Sequence, residues 1–228
     1  MAAAASGSDS FGYPGAQPGR MDATVAVRSV AEVGPDTVAV TLDSPAGFDG
    51  KPGQFVKLTA VVGAEEVSRF YTISSPDTDD GFETTVGLDG GDFSRYLADL
   101  DAGDELDMSG PFGDDYYEGE ARAVVLAGGP GVGPAVAIAE AALDGGNEAA
   151  VVYRDDEPAH GDRLDDLRER GASVEVTDGE ITDAVAAAVT GGDGEQAFVY
   201  GFTEFVDEAT EALEAAGYAG NAKVENFG

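Results

Sequence analysis

Residues 123–134 read AVVLAGGPGVGP. A run of small and β-branched apolar residues stops at two glycines, and a proline opens the alanine-rich stretch PAVAIAEAAL (134–143). The run predicts a buried strand and the stretch after it a helix, since proline is favoured in a helix's first turn. A strand-to-helix turn packed with glycine lets backbone N–H groups and the helix start face a phosphate. The pattern departs from G-x-G-x-x-G: Gly129 and Gly131 fit, and Pro134 holds the third place. A tight connection without a ligand explains the same residues as well.

Downstream of this turn the chain alternates. AAVVYR (149–154) precedes DRLDDLRER (162–170), ASVEV (172–176) precedes ITDAVAAAV (181–189), QAFVYG (196–201) precedes TEFVDEATEALEAAG (203–217), and NAKVENF (221–227) closes the series. Alternation of strand and helix implies a parallel sheet covered on both faces. Upstream the rhythm is different. ATVAVRSV (23–30), DTVAVTL (36–42), GQFVKLTAVV (53–62), VSRFYTIS (67–74) and FETTVGL (82–88) show period two, and only DFSRYLADL (92–100) looks helical. Short strands with one helix predict a small antiparallel β-barrel. The expected division is a tail over 1–20, a barrel domain over 21–117 and an α/β domain over 118–228, with no internal repeat.

Composition bounds the partners. The chain of 228 residues carries 45 acidic against 12 basic side chains, a formal net charge of −33, and its acids are scattered through the periodic segments. A solvated acidic surface of this kind is expected of a protein kept soluble in a halophile's cytoplasm. It argues against nucleic acid and anionic membrane as partners. The absence of cysteine rules out a disulfide, a thiolate zinc site and a cysteine-ligated iron–sulfur cluster, and a single histidine argues against a His-rich metal site. No apolar run approaches the roughly 18 residues of a membrane span. Residues 1–20 lack the basic start and apolar core of a signal peptide and read as a flexible tail or an upstream extension, with Met21 as the start of structure.

Two further stretches invite an anion. In RFYTISS (69–75), strand alternation puts Arg69, Tyr71 and Ile73 on one face, a fixed cation beside an aromatic plane. GGDFSRYL (90–97) sets glycines and Ser94 at the start of a short helix, where a hydroxyl and backbone donors face a phosphate or simply cap the helix.

Taken in order, PGQFV (52–56), RFYTISS, GDFSRYL (91–97), GDELDMSGPFG (103–113), GGPGVGP (128–134), YGFTEF (200–205) and ENFG (225–228) resemble the motifs of the ferredoxin-NADP reductase superfamily. The likeness runs over almost all of 21–228. It implies a flavin-dependent oxidoreductase whose barrel binds FAD, with FMN as the alternative, and whose α/β domain brings NADH or NADPH. Electrons would pass to a separate acceptor, a ferredoxin, an oxygenase component or a small molecule.

By that resemblance Arg69 pairs with the flavin's pyrophosphate, Tyr71 lies against its ring system and Thr72 offers a hydroxyl near the reacting nitrogen. Phe70, Ser74 and Ser75 belong to the same flavin-binding strand, and Gly91, Phe93 and Ser94 hold the diphosphate. Gly129, Gly131, Val132 and Pro134 form the nicotinamide-dinucleotide turn. Arg154 stands where a 2′-phosphate is read, and Asp155 and Asp156 beside it favour NADH. Gly201 and Phe202 adjoin the nicotinamide, and Glu225 and Phe227 close the back of the flavin site. The family commonly has cysteine where this chain has Tyr200, a larger group that would alter the nicotinamide's approach. That departure keeps a rival in view, a non-enzymatic flavin-binding electron relay. Tyr116 and Tyr117 fit either an adenine-stacking role or the domain junction.

Overall fold

The computed structural model describes residues 20–88 and 91–228. The expectation for the tail over 1–19, and Gly90 of the GGDFSRYL turn, lie outside the described residues.

Six antiparallel strands make the first layer. They are β1 (Met21–Gly34), β2 (Thr37–Asp43), β3 (Phe55–Val62), β4 (Glu65–Thr72), β5 (Gly81–Gly87) and β6 (Glu105–Phe112), in the spatial order β4-β3-β6-β1-β2-β5. A lone bridge from Ile73 to Thr84 ties the β4 edge back to β5, so the curled sheet closes on itself. Alternation is plain in β6, where Leu106 and Met108 turn inward while Glu105 and Asp107 meet water. The interior holds Val40, Leu42, Leu58, Ile73 and Phe82, and α1 (Asp92–Ala98) plugs one end with Phe93 and Leu97.

Ile73 is a correction to the alternation argument. It does not share the outward face of Arg69 and Tyr71 but is fully buried in the barrel. β4 ends at Thr72, and the chain bends inward there to make the closing bridge.

The second layer is a five-stranded parallel sheet in the order β11-β10-β7-β8-β9. Its elements are β7 (Arg122–Gly128), α2 (Val132–Asp144), β8 (Glu148–Arg154), α3 (Gly161–Glu169), β9 (Ser173–Thr177), α4 (Thr182–Ala188), β10 (Glu195–Gly201), α5 (Thr203–Ala215) and β11 (Lys223–Asn226). Central β7 is buried on both faces, which is why its sequence is an unbroken apolar run. Val125 and Ala127 pack under α2, whereas Val124 and Leu126 meet Val185 of α4 and Phe205 of α5. The chain leaves β7 toward β8 and returns across it to β10, so the strand order reverses between β7 and β10. The carboxyl ends of these two strands open a crevice toward the barrel.

Candidate active site

A cavity of about 670 Å³ lies where that crevice meets the edge of the barrel. Arg69, Phe70, Tyr71 and Thr72 of β4 line it together. Side chains of both parities reach the same space because β4 is an edge strand and the cavity wraps around its free side. Ser94, Pro134, Phe202, Glu225 and Phe227 join them from the other predicted segments.

Local chemistry differs from one end of the cavity to the other. At the floor, the Thr72 hydroxyl donates to Glu225 Oε1 at 3.0 Å, while the buried Glu225 Oε2 has no partner. Burial raises the Glu225 carboxyl to about 7; the Thr72 hydrogen bond opposes the rise and the Asp115 charge adds to it. Tyr71 stacks on Phe93, their centroids 6.3 Å apart, and burial against the opposing Arg69 charge pushes its hydroxyl up to about 12. Tyr71 therefore stays a neutral aromatic plane at any working pH. At the far end Phe55, Phe70 and Phe112 form an aromatic cluster, with the Arg20 guanidinium 4.9 Å above the Phe112 ring.

The cations of the cavity stand apart from the rest of the chain. Of 12 basic side chains, Arg28, Lys51, Arg95, Arg122, Arg154, Arg163, Arg168, Arg170 and Lys223 form ion pairs. Among the described residues Arg20, Lys57 and Arg69 form none, and all three line this cavity. In a chain with 45 acids, an arginine without a carboxylate is conspicuous. Arg69 donates only to its neighbour's carbonyl, Ser68 O, at 2.8 Å.

Several predicted residues take other places. Ser74 and Ser75 serve β5: Thr85 N donates to Ser74 Oγ at 3.1 Å and Glu83 N to Ser75 Oγ at 2.7 Å. Gly91 is the N-cap of α1, and Ser94 Oγ donates back to its carbonyl at 2.8 Å. Phe93 is buried behind Tyr71. Gly129, Gly131, Val132 and Gly201 surround the crevice without lining the cavity, whereas Pro130 and Pro134 do line it. Gly131 has a packing reason as well, because a Cβ there would meet Tyr200 O at 2.3 Å. Arg154 pairs closely with Glu208 of α5 and lies 5.1 Å from the centroid of Phe205.

Tyr200 does not line the cavity. Its ring is 1% exposed within the α/β domain's core, and its hydroxyl reaches across to donate to Asp115 O at 3.2 Å. Tyr117 is likewise at the junction, where its hydroxyl accepts from Asn147 at 2.9 Å, and the Tyr116 carbonyl accepts from Lys223 at 2.6 Å.

Sequence reasoning missed Arg20, Phe55, Lys57, Thr85, Phe112 and Asp114 among the lining residues. Lys57 carried a signal: it is one of only three lysines and sits two residues after the PGQF motif.

Comparison with known proteins follows the same division. Residues 24–117 match the oxidoreductase FAD-binding domain family. The chain is 41% identical over 105 residues to the glycine betaine monooxygenase reductase subunit of Chromohalobacter salexigens, covering 43% of this chain and 28% of that protein. It is 37% identical over 95 residues to NADH-cytochrome b5 reductase 1 of Mycosarcoma maydis, covering 40% and 29%. The matched region spans less than a third of the length of either relative.

Fold similarity extends over both layers. The ferredoxin NADP+ reductase from Neisseria gonorrhoeae, solved with FAD and NADP, superposes with a TM-score of 0.74 at 18% identity, covering 90% of this chain and 97% of that one. The Amycolatopsis cytochrome P450 reductase GcoB gives 0.73 at 24% identity, covering 91% and 69%. The two-layer architecture is that of ferredoxin-NADP reductases.

Proposed function

We propose that the chain is a flavin-dependent oxidoreductase that binds FAD in this cavity and uses a reduced nicotinamide dinucleotide as electron donor. The observation that carries the reading is the set of three cations without ion pairs among the described residues, Arg20, Lys57 and Arg69, lining one cavity of a strongly acidic protein. Such a set calls for an anionic ligand with more than one charge, and a diphosphate fits a guanidinium fork. The residues present fit the rest of the cofactor. Tyr71 offers a neutral plane, the partnerless Glu225 Oε2 and the Thr72 hydroxyl offer polar contacts at the floor, and Phe55, Phe70 and Phe112 offer an aromatic wall beyond Arg69. That wall supports FAD over FMN, because it suits a purine past the diphosphate. Bound FAD would supply the two-electron to one-electron conversion between nicotinamide and acceptor.

The protein's part is position and charge. Arg69, Lys57 and Arg20 hold the anion, Tyr71 and Phe227 bound the ring site, and Thr72 with Glu225 can hold or yield a proton at the floor. Likeness to a monooxygenase reductase subunit supports an oxygenase component as acceptor, with a ferredoxin or a small molecule as the other candidates. The acidic surface suits concentrated salt and a cytoplasmic setting, and among the described residues no helix is long and apolar enough to cross a membrane. The relay reading rested on Tyr200 obstructing the nicotinamide; with that ring turned into the junction, no observation favours it.

Protein purified in high salt is expected to be yellow or to become so with added FAD, and anaerobic NADH should bleach it. Colourless protein that takes up neither FAD nor FMN would overturn the proposal. Arg69→Lys keeps the charge but loses the fork, so flavin affinity should fall about tenfold, roughly 1.4 kcal/mol; an unchanged affinity by fluorescence titration would remove Arg69 from the site.

NADH should reduce the flavin faster than NADPH, by about tenfold at equal concentration. Arg154 is already committed to Glu208 and Phe205, and Asp155 Oδ2 accepts the Tyr153 hydroxyl at 3.0 Å beside it. A 2′-phosphate would meet carboxylates and no released cation there. Faster reduction by NADPH in stopped flow would contradict this.

A further inference from the structure

The one histidine of the chain stands at the joint between the two layers. His160 is 4% exposed and has a left-handed backbone, φ 57°, immediately before α3. Such a conformation costs a residue other than glycine or asparagine about 1 kcal/mol, so something must hold it. The holders come from the barrel. His160 N donates to Val33 O at 2.7 Å, and its Nε2 lies 2.8 Å from Thr85 Oγ1 on β5. Gly34 packs so closely on Ala159 that a Cβ would come within 2.7 Å of it.

Hydrogen bonds continue from the ring into the barrel. Ser74 Oγ donates to Thr72 O at 3.4 Å, and Thr85 Oγ1 donates to Ser74 Oγ at 3.0 Å. Thr85 Oγ1 therefore bonds both the Ser74 hydroxyl and the His160 ring. Burial, and then the nearby Arg163 charge, push His160 down to about 3, which keeps the imidazole neutral. The chain of donors runs from the α/β domain to the backbone of Thr72, on the cavity floor.

Two neighbours rest on the same segment of the barrel. A Cβ at Gly133, in the first turn of α2, would meet Ser74 Oγ and Thr85 Oγ1 at 2.3 Å each, so that helix start is seated directly on them. Arg163, one turn along α3, donates to Glu83 at 2.9 Å and to Ser74 O at 2.9 Å while holding Glu140 of α2. Thr85 and Pro134 both line the cavity. The seat on which α2 meets the barrel is therefore part of the cavity wall.

We propose that His160 is a positioning residue, setting through Thr85 and Ser74 the distance and angle at which the nucleotide-type domain faces the flavin cavity. This rests on the proposed function for its kinetic consequence, since a donor on one domain and an acceptor on the other need a fixed spacing. A misplacement of the order of 1 Å costs such a reaction up to about a hundredfold.

Two substitutions separate this role from a merely structural one. His160→Asn keeps a residue that tolerates the left-handed backbone, but its amide stops near the place of Nδ1 and cannot reach Thr85. His160→Gln carries its amide nitrogen to about the place of Nε2. Hydrogen exchange of residues 73–75, 85 and 131–133 in the flavin-free protein should quicken about tenfold in His160→Asn and stay within about threefold of wild type in His160→Gln. FAD affinity should change less than about twofold in both, while the limiting rate of flavin reduction at saturating NADH falls about tenfold in His160→Asn and is restored in His160→Gln.

Equal exchange and equal rates in wild type and His160→Asn would overturn the proposal, as would equal losses in both variants. Parallel loss of FAD affinity and rate would also overturn it, by making His160 a support of the cavity itself. A wild type that NADH leaves oxidised would count against the proposed function instead, and the exchange comparison would still decide the joint.

Discussion

Tyr200→Cys is expected to destabilise the protein by about 3 kcal/mol and to leave reduction by NADH no faster. Family resemblance puts a cysteine at this position, and on sequence grounds the larger tyrosine either turns aside or obstructs the nicotinamide. The geometry turns it aside. The ring is fully packed among Tyr117, Val132 and Phe198, and its hydroxyl lies so near Gly53 that a Cβ there would approach it to 2.4 Å. Cysteine would open a void between the domains and leave the Asp115 carbonyl without its 3.2 Å donor. Burial raises the hydroxyl's pKa well above its ordinary value, so no ionised form relieves the contact. Denaturant unfolding of both proteins measures the loss, and anaerobic stopped flow measures the rate. A variant as stable as wild type, or one bleached faster by NADH, would place the ring in the nucleotide's path after all.

The two rhythms of the chain were legible because each is a periodicity that burial enforces. β7 is apolar without interruption since both its faces are covered, and β6 alternates since one face is wet. Arg69 stood out in the sequence as a cation beside an aromatic plane on a strand, whereas Glu225 entered only through the family resemblance. What stayed hidden depends on the relation between segments. Alternation could not show that β4 is an edge strand, and so it assigned Ile73 to the cavity face and kept Phe70 from it. Gly131 read as a ligand position, whereas it also accommodates the close approach of Tyr200 O, and Gly133, which drew no reading, seats the Ser74–Thr85 pair. His160 gave no signal beyond being alone, because its partners are 75 residues away in sequence at Thr85 and across the joint at Val33.

Glu225→Gln is expected to stabilise the flavin-free protein at alkaline pH, by about 2–3 kcal/mol relative to its effect at pH 5. The folded protein raises the Glu225 carboxyl from 4.5 to about 7, chiefly by burial. Between these values the native state holds a proton that the unfolded chain has released. The contribution of this group is therefore complete below about pH 4.5 and is lost progressively as pH rises to about 7. Glutamine keeps the shape and can still accept from Thr72, but it cannot ionise, so the variant escapes that loss. Other carboxylates contribute equally to both proteins, and the difference between their pH profiles isolates Glu225. Urea unfolding at pH 5 and pH 8.5 in molar salt, where exposed charges are screened beyond about 3 Å, is the measurement. Parallel profiles would mean that the carboxyl is solvated and titrates in the usual range. A widening gap in favour of glutamine would mean that the chain retains, at the floor of its cavity, an acid that costs it stability near neutrality, and the role consistent with that cost is holding and releasing a proton beside Thr72.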